Sequence, residues 1–173
     1  MRITRVIAVV LGAVLLQVLL ARYAVGGRFS FDLVLVGVVY VSLQSGVAGG
    51  MLGGTIGGLL QDVLSGGVVG VGGLVKTLVG YATGAFGTQF VVAKASARAL
   101  IVAAATLVHG LMSGGLQALI DQTWPRLAWA AMLEEVVINA AVGWIAFSVA
   151  ESLPGAMSRG RSRSRSTLSR RQW

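Results

Sequence analysis

The sequence predicts an all-α polytopic membrane protein, and three features of the chain support this prediction. Of the 173 residues, 55% are apolar and only 12% are charged, whereas soluble domains carry about a quarter charged residues. The mean hydropathy is +0.82, so the chain cannot build a water-facing surface around a core. Predominantly apolar runs long enough to cross a hydrocarbon core of ~30 Å also recur along the chain. The composition therefore excludes an ordinary soluble domain.

The first and the last three spans can be identified directly from runs that are predominantly apolar. Residues 6–21 are apolar except for Gln17 and have arginines on both sides. A run of this length, followed by more membrane sequence, favours a retained first span over a cleaved signal peptide. Three further runs, at residues 71–93, 99–120 and 127–150, also have spanning length.

The uncharged stretch at residues 33–60 decides the number of spans. It is long for one span and short for two, so one helix gives five spans and a turn at Gln44-Ser45-Gly46 gives six. The positive-inside rule does not decide, because both arrangements place ten basic residues in the cytoplasm and three outside. Local chemistry favours six spans, since Gln, Ser and Gly suit a turn better than a helix centre.

The preferred arrangement is a six-helix bundle followed by a basic tail. We place the transmembrane domain at residues 1–152, with spans at about 4–22, 31–44, 47–64, 71–93, 97–120 and 127–151. The tail, residues 153–173, is rich in Arg and Ser and is predicted to be disordered. It holds most of the net charge of +8. We expect it to anchor the topology and bind anionic lipid rather than nucleic acid.

Glycines give the clearest packing signal in the chain. They recur at alternating steps of three and one residues and therefore line one side of a helix. The stripe consists of Gly46, Gly49, Gly50, Gly53, Gly54, Gly57 and Gly58. In lipid, helices associate largely through close backbone approach at small residues. We therefore expect this helix to pack tightly against a neighbour.

The candidate functional residues are polar groups within or next to the spans: Asp62, Lys76, His109, Glu135 and Asn139. An isolated lysine in hydrocarbon costs roughly 2.5–3.5 kcal/mol. Lys76 therefore either pairs with Asp62 across the hairpin or extends to the headgroups. A hydrogen bond within the bundle explains His109 more simply than a proton relay does.

The last span carries two adjacent glutamates. Glu134 and Glu135 point ~100° apart on a helix and cannot form a facing carboxylate pair. Glu135 and Asn139 are four residues apart and form a polar stripe, unless the helix begins later and both glutamates lie at the interface. Because the polar groups are few and spread over several spans, the sequence argues against a polar cavity.

Catalysis is not indicated anywhere in the chain. There is no cysteine and one histidine, and we find no P-loop, zinc-binding motif or nucleophile elbow. We therefore expect no catalytic residue, cofactor or metal site, and we predict that the protein is not an enzyme.

Three segments resemble the rod shape-determining protein MreD family: GLLQDVLSGG at 58–67, VGVGGL at 69–74 and FSFDLVLVGVVYVSLQSG at 29–46. The resemblance covers about residues 3–150. Lys76, Glu134 and Glu135 are unusually charged for that family, and the Arg/Ser tail falls outside its pattern. The resemblance implies six spans in a bundle similar to the S components of energy-coupling factor transporters.

The resemblance also implies a function. It indicates a non-catalytic scaffold of the bacterial elongasome that binds MreC and supports cell shape and lateral peptidoglycan synthesis. Through MreC it would be linked to MreB and to the wall-building transpeptidase and glycosyltransferase. We expect it in the cytoplasmic membrane with both termini in the cytoplasm. The alternative is a solute-binding subunit of the S-component type, which predicts a polar, vitamin-sized cavity rather than an apolar groove for a partner helix.

Overall fold

Five helices and no strand make up the described part of the chain. The computed structural model describes residues 3–21, 31–90, 92, 94–122 and 128–168, with side chains as far as Ala150. The helices are α1 Ile3–Ala21, α2 Leu33–Ser65, α3 Val71–Gln89, α4 Ala95–Ile120 and α5 Trp129–Leu168. Four of them are long and apolar enough to cross a membrane: α1, α2, α4 and the Trp129–Ala150 part of α5. The all-α prediction is confirmed.

The helix count is five where the sequence predicts six, because α2 contains both the second and the third predicted spans. It is interrupted at Gly46, where φ is 72° and ψ is −164°, values that glycine adopts at low cost. Val34 packs against Gly57, although a straight helix would hold them ~35 Å apart. Residues 33–45 and 47–65 are therefore two antiparallel arms, named here the first arm and the second arm.

The first arm is the centre of the bundle. Its apolar side chains are buried on every side: Val34, Leu35, Val36, Val38, Val39 and Val41. On one side the arm packs against Val14 of α1. On the other side it packs against Val79 of α3, Val102 of α4 and Phe147 of α5. A helix that is apolar all round is one enclosed by other elements.

The glycines of the second arm form two adjoining contact faces rather than one. A Cβ on Gly50 would collide with the backbone of Gly80, and one on Gly54 would collide with the backbone of Lys76. These positions bring the second arm directly against the α3 backbone. Gly57, on the other face, lies against the first arm and α1. The missing side chains let three helical segments meet at close range.

The last two helices pack together beside the first arm. Gly143 of α5 lies against Val102 of α4, and Gly110 of α4 lies against Met132 of α5.

Helix α5 continues to Leu168, so the backbone of residues 153–168 is helical where the sequence predicts disorder. Extending a helix that has already begun costs less than starting a new one, which allows α5 to continue past its apolar part. The predicted span boundaries at residues 22, 93 and 127 lie outside the described residues, as do residues 169–173.

Replacing a packed glycine should separate α2 from α3. We expect Gly54→Ala to lower the free energy of unfolding by about 1–3 kcal/mol or more, because its methyl group meets backbone atoms that cannot rotate away. Gly12→Ala is the matched control, since nothing lies within 4 Å of its Cβ position. It should be neutral or stabilising. Equal losses for the two variants in a reversible unfolding titration would contradict the close contact.

Candidate functional site

The first arm begins with a buried, polar helix end. At 1.5 Å per residue, residues 33–45 extend only about 20 Å, less than the ~30 Å of hydrocarbon. Asp32 and Val34 at this end are 5% and 1% exposed. The first N–H groups of a helix have no acceptor within the helix, and lipid offers none. These groups therefore need acceptors from side chains.

Two other helices and Asp32 itself supply these acceptors. Asn139 of α5 accepts a hydrogen bond from the backbone N–H of Asp32 at 2.9 Å. Gln17 of α1 accepts one from the N–H of Val34 at 3.1 Å. The Asp32 side chain is the N-cap and accepts from the N–H of Leu35 at 2.9 Å. The start of the first arm is thus tied to α1 and α5.

Lys76 of α3 forms an ion pair with the same capping residue. Its Nζ lies 2.7 Å from Oδ2 of Asp32, and both side chains are almost completely buried. Nζ also lies 3.1 Å from Nε2 of His109 on α4. An ammonium group carries only donors, so Nε2 of His109 is the acceptor and the ring proton is assigned to Nδ1. Lys76 therefore connects α2, α3 and α4.

Lys76 takes neither of the two routes expected from the sequence, pairing with Asp62 or extension to the headgroups. Asp62 instead accepts hydrogen bonds from the N–H groups of Gly70 and Gly73, at 2.8 and 3.1 Å. These bonds close the turn between α2 and α3. The expected pair of Lys76 with Asp62 is therefore not formed. Lys76 pairs instead with the buried carboxylate of Asp32.

The polar stripe of the last helix completes the site. Asn139 is fully buried and donates a hydrogen bond to Oγ1 of Thr106 on α4 at 3.2 Å. Glu135, one turn earlier, is half-buried, and its carboxylate lies within 4.8 Å of ligand atoms of Asp32 and His109. Glu134 is exposed. The two glutamates therefore differ in environment, and only Glu135 belongs to the site.

Four of the five candidate polar residues meet around Asp32: Lys76, His109, Glu135 and Asn139. We call these five residues the Asp32 cluster. Asp62 lies apart from them at the α2–α3 turn. These positions lie far apart in the sequence, and the packing of neighbouring helices brings them together. Asp32 was not predicted from the sequence, although an aspartate directly before an apolar run is a typical helix N-cap.

Asp32, His109 and Glu135 offer oxygen and nitrogen atoms within 4.8 Å of one another, a spacing that a metal ion could use. The Lys76 ammonium already lies against two of these groups, and a divalent cation would have to displace it against Coulomb repulsion. We assign no metal to this cluster. Its chemistry is hydrogen bonding and charge pairing among fixed groups.

A second feature lies between α3 and α4, toward the turn that joins them. It is an apolar groove of about 350 Å³, named here the α3–α4 groove, lined by Val79, Ala82, Thr83, Phe86, Leu100, Ile101, Ala104, Ala105 and Val108. Phe86 and Leu100 are 45% and 71% exposed. Ala82 and Ala104 lack bulk, which allows another helix to approach closely.

Comparison with known proteins adds the decisive observation. The family model of the rod shape-determining protein MreD matches residues 2–149. The chain belongs to the MreD family. No curated protein and no solved structure matches it, so the expected similarity to the S components has no support. Membership in the MreD family, together with the apolar helices, makes this a multi-pass membrane protein with a role in rod shape determination. MreD is not a known enzyme family.

The Asp32–Lys76 pair in this member of the MreD family should behave as a coupled unit. We expect Asp32→Asn and Lys76→Met each to lower the free energy of unfolding by about 3–5 kcal/mol, because each leaves an unpaired buried charge. The double variant should lose much less than the sum of the two, since asparagine still caps a helix. A double-mutant cycle on the detergent-solubilised protein measures this coupling.

The control for that cycle pairs Asp62→Asn with Lys76→Met. Asp62 bonds to the α2–α3 turn and not to Lys76, so the effects of these two changes should add. Strong coupling of Lys76 to Asp62, with none to Asp32, would refute the assignment of the ion pair.

Proposed function

We propose that the protein is a non-catalytic membrane scaffold of the bacterial elongasome that binds MreC and supports lateral peptidoglycan synthesis. Membership in the MreD family supports a role in rod shape determination. The partner, the complex and the mode of binding are our proposal. The observation that carries it is the α3–α4 groove, whose dimensions and lining suit an apolar helix.

Three properties of the α3–α4 groove favour a helix as its occupant. From Leu100 to Val108 the groove extends along about 12 Å of α4, or roughly two helical turns. Ala82 and Ala104 leave room for a neighbouring backbone. Phe86, which is 45% exposed, offers a large apolar contact at one end. We propose that the membrane helix or the membrane-proximal region of MreC docks here, and that MreB and the wall-building transpeptidase and glycosyltransferase are linked through MreC.

The alternative, a solute-binding subunit of the S-component type, would need a polar cavity. Asp32, Lys76 and Asn139 are 5%, 2% and 0% exposed, and they satisfy one another or nearby backbone. The α3–α4 groove is apolar apart from Thr83. It therefore suits a partner helix better than a polar solute, which favours the scaffold over the solute-binding subunit.

We further propose that the chain crosses the cytoplasmic membrane six times, with both termini in the cytoplasm. The antiparallel arms of α2 support two passes from that one element. The α3–α4 turn, with Lys94 and Arg98, then lies on the same side as the basic tail, as the positive-inside rule requires. On this topology the Asp32 cluster lies in the outer half of the bundle, and the tail can bind anionic lipid.

Filling the α3–α4 groove should release the partner. We expect the double variant Ala82→Leu with Ala104→Leu to co-purify at least about tenfold less MreC, a loss equivalent to ~1.4 kcal/mol of binding free energy. Ala146→Leu on exposed α5 surface is the matched control and should bind as the wild type does. Size-exclusion profiles establish that all variants remain folded.

Two other results of the MreC co-purification would contradict the proposal. Undiminished binding by the filled variant would place the interface elsewhere. Failure of MreC to co-purify with the wild type, together with a tightly bound small molecule, would instead support the solute-binding alternative.

Single cysteines can test the topology, because the chain has none of its own. We expect a membrane-impermeant thiol reagent to leave Arg2→Cys and Gly160→Cys unlabelled in intact cells and to label both after permeabilisation. Gln122→Cys, just after α4, should be labelled in intact cells. Labelling of position 2 alone would refute the six-pass arrangement and favour five passes.

A further inference from the structure

The Asp32 cluster holds more carboxylates than ammonium groups. Lys76 lies 2.7 Å from Oδ2 of Asp32 and balances its charge. Glu135 offers a second carboxylate, with an oxygen within 4.8 Å of ligand atoms of both Asp32 and His109. Glu135 forms no ion pair with any other side chain that the structure describes. Two carboxylates therefore share one ammonium group, and the excess charge is on Glu135.

An excess negative charge at this position is costly. Residue 135 lies about 9 Å along α5 from Trp129, the first residue of the helix, within the part of α5 that is long and apolar enough to cross a membrane. The side chain is half-buried, so protein and lipid replace much of its water. Lost hydration and a second carboxylate nearby both disfavour a carboxylate. One proton added to the cluster removes both costs.

His109 is a poor acceptor for that proton. Its Nε2 lies 3.1 Å from Nζ of Lys76 and accepts a hydrogen bond from the ammonium group, so the ring proton is on Nδ1. A further proton would bind at Nε2, where it would replace this hydrogen bond by a contact between two positively charged donors. The ring therefore stays neutral, and Lys76 keeps its acceptor.

Asp32 is also a poor acceptor, because both of its oxygens already accept. Oδ2 faces the Lys76 ammonium, and Oδ1 accepts a hydrogen bond from the N–H of Leu35 at 2.9 Å. Both contacts favour the ionised form of the carboxyl group. Glu135 receives no hydrogen bond from the described residues. Of the two carboxylates, Glu135 is therefore the one that gains more from a proton.

We propose that Glu135 is a proton-binding site, and that its carboxyl group carries a proton at about pH 7. A proton from solvent forms an O–H bond at one carboxylate oxygen, and no bond within the protein breaks. The cluster then contains one carboxylate, one ammonium group, one neutral imidazole and one neutral carboxyl group. Its net charge is zero, as a polar cluster inside a membrane bundle requires.

The titratable groups that face Glu135 come from three other helices. Helix α5 packs against α2 and α4, which contribute Asp32 and His109. Lys76 reaches the same cluster from α3. Asp62, a further carboxylate of α2, is bound to the backbone of the α2–α3 turn. Within the cluster, Asp32 opposes ionisation of Glu135, and Lys76, the one cation, is already paired.

The bound proton makes the stability of the bundle depend on pH. In an unfolded chain, a glutamate ionises at about pH 4.3. Above that pH, and until folded Glu135 itself ionises, the folded state binds one proton more than the unfolded state. The free energy of unfolding therefore falls as the pH rises through this window. Below about pH 4 both states are protonated, and Glu135 adds no pH dependence.

Infrared spectroscopy can observe the bound proton, because a protonated carboxyl group and a carboxylate absorb at different frequencies. The glutamates of the chain are Glu134, Glu135 and Glu151. In the double variant Glu134→Gln with Glu151→Gln, ¹³C labelling of the glutamate carboxyl group therefore marks Glu135 alone. We expect the full-length variant, in a maltoside detergent without carbonyl groups, to show an isotope-shifted band of a protonated carboxyl group at about pH 7.

Three controls accompany the infrared measurement. The band should also occur in the wild type, which excludes an effect of the two replacements. Raising the pH should convert it into the band of a labelled carboxylate. A labelled carboxylate at about pH 7 would overturn the proposal. A protonated carboxyl band that does not shift with the label would place the proton on an aspartate and would refute the site equally.

Reversible unfolding of the full-length protein gives an independent test. Between about pH 5 and about pH 7, the unfolding equilibrium constant of the wild type should rise roughly tenfold per pH unit relative to that of Glu135→Gln. Other groups titrate in both proteins, so the comparison isolates one side chain. Glu134→Gln, at an exposed position outside the cluster, is the matched control and should keep the wild-type slope. Parallel curves for the wild type and Glu135→Gln would refute the site.

The two measurements remain decisive if one variant fails. The infrared measurement retains Glu135, so it still decides if Glu135→Gln does not fold. Neither measurement includes MreC, and the proton-binding site does not rest on the proposed function. Failure of MreC to bind would therefore leave both results intact.

Discussion

The buried N-terminus of the first arm is the constraint on which the rest of the bundle depends. A helix that begins inside a membrane protein leaves backbone N–H groups that neither its own turns nor lipid can satisfy. Gln17 and Asn139 satisfy two of these groups, and Asp32 caps the helix and binds Lys76. One helix end thereby fixes the positions of α1, α3 and α5.

The glycine contacts and the polar cluster are two parts of one arrangement. Gly54 lies against the backbone of Lys76, so the second arm approaches α3 at the very residue whose side chain reaches Asp32. A bulkier second arm would move α3 outward and take the ammonium group away from its carboxylate. Close packing therefore determines whether the buried charge has a partner, and sequence at residue 54 affects chemistry at residue 32.

The sequence could predict local features but not which distant groups meet. Gly46 was identifiable as a turn because the polar Gln44 and Ser45 precede it in an apolar stretch, and the glycine spacing indicated close packing. Lys76 was recognisably in need of a partner. The identity of that partner was not predictable. Asp62 is nearer to Lys76 along the chain, whereas Asp32 becomes its neighbour only because α2 reverses direction. The approach of His109 and Glu135 likewise depends on how α4 and α5 pack beside the first arm.

The reversal at Gly46 has a consequence for membrane insertion. The first arm extends only about 20 Å, too short to cross the hydrocarbon core as an independent segment, and the N–H of Asp32 has no acceptor until Asn139 of α5 has been made. A single residue separates it from the second arm, so neither arm can settle without the other. We therefore expect α2 to enter the bilayer as one hairpin, and its polar end to stay hydrated until the C-terminal helix arrives.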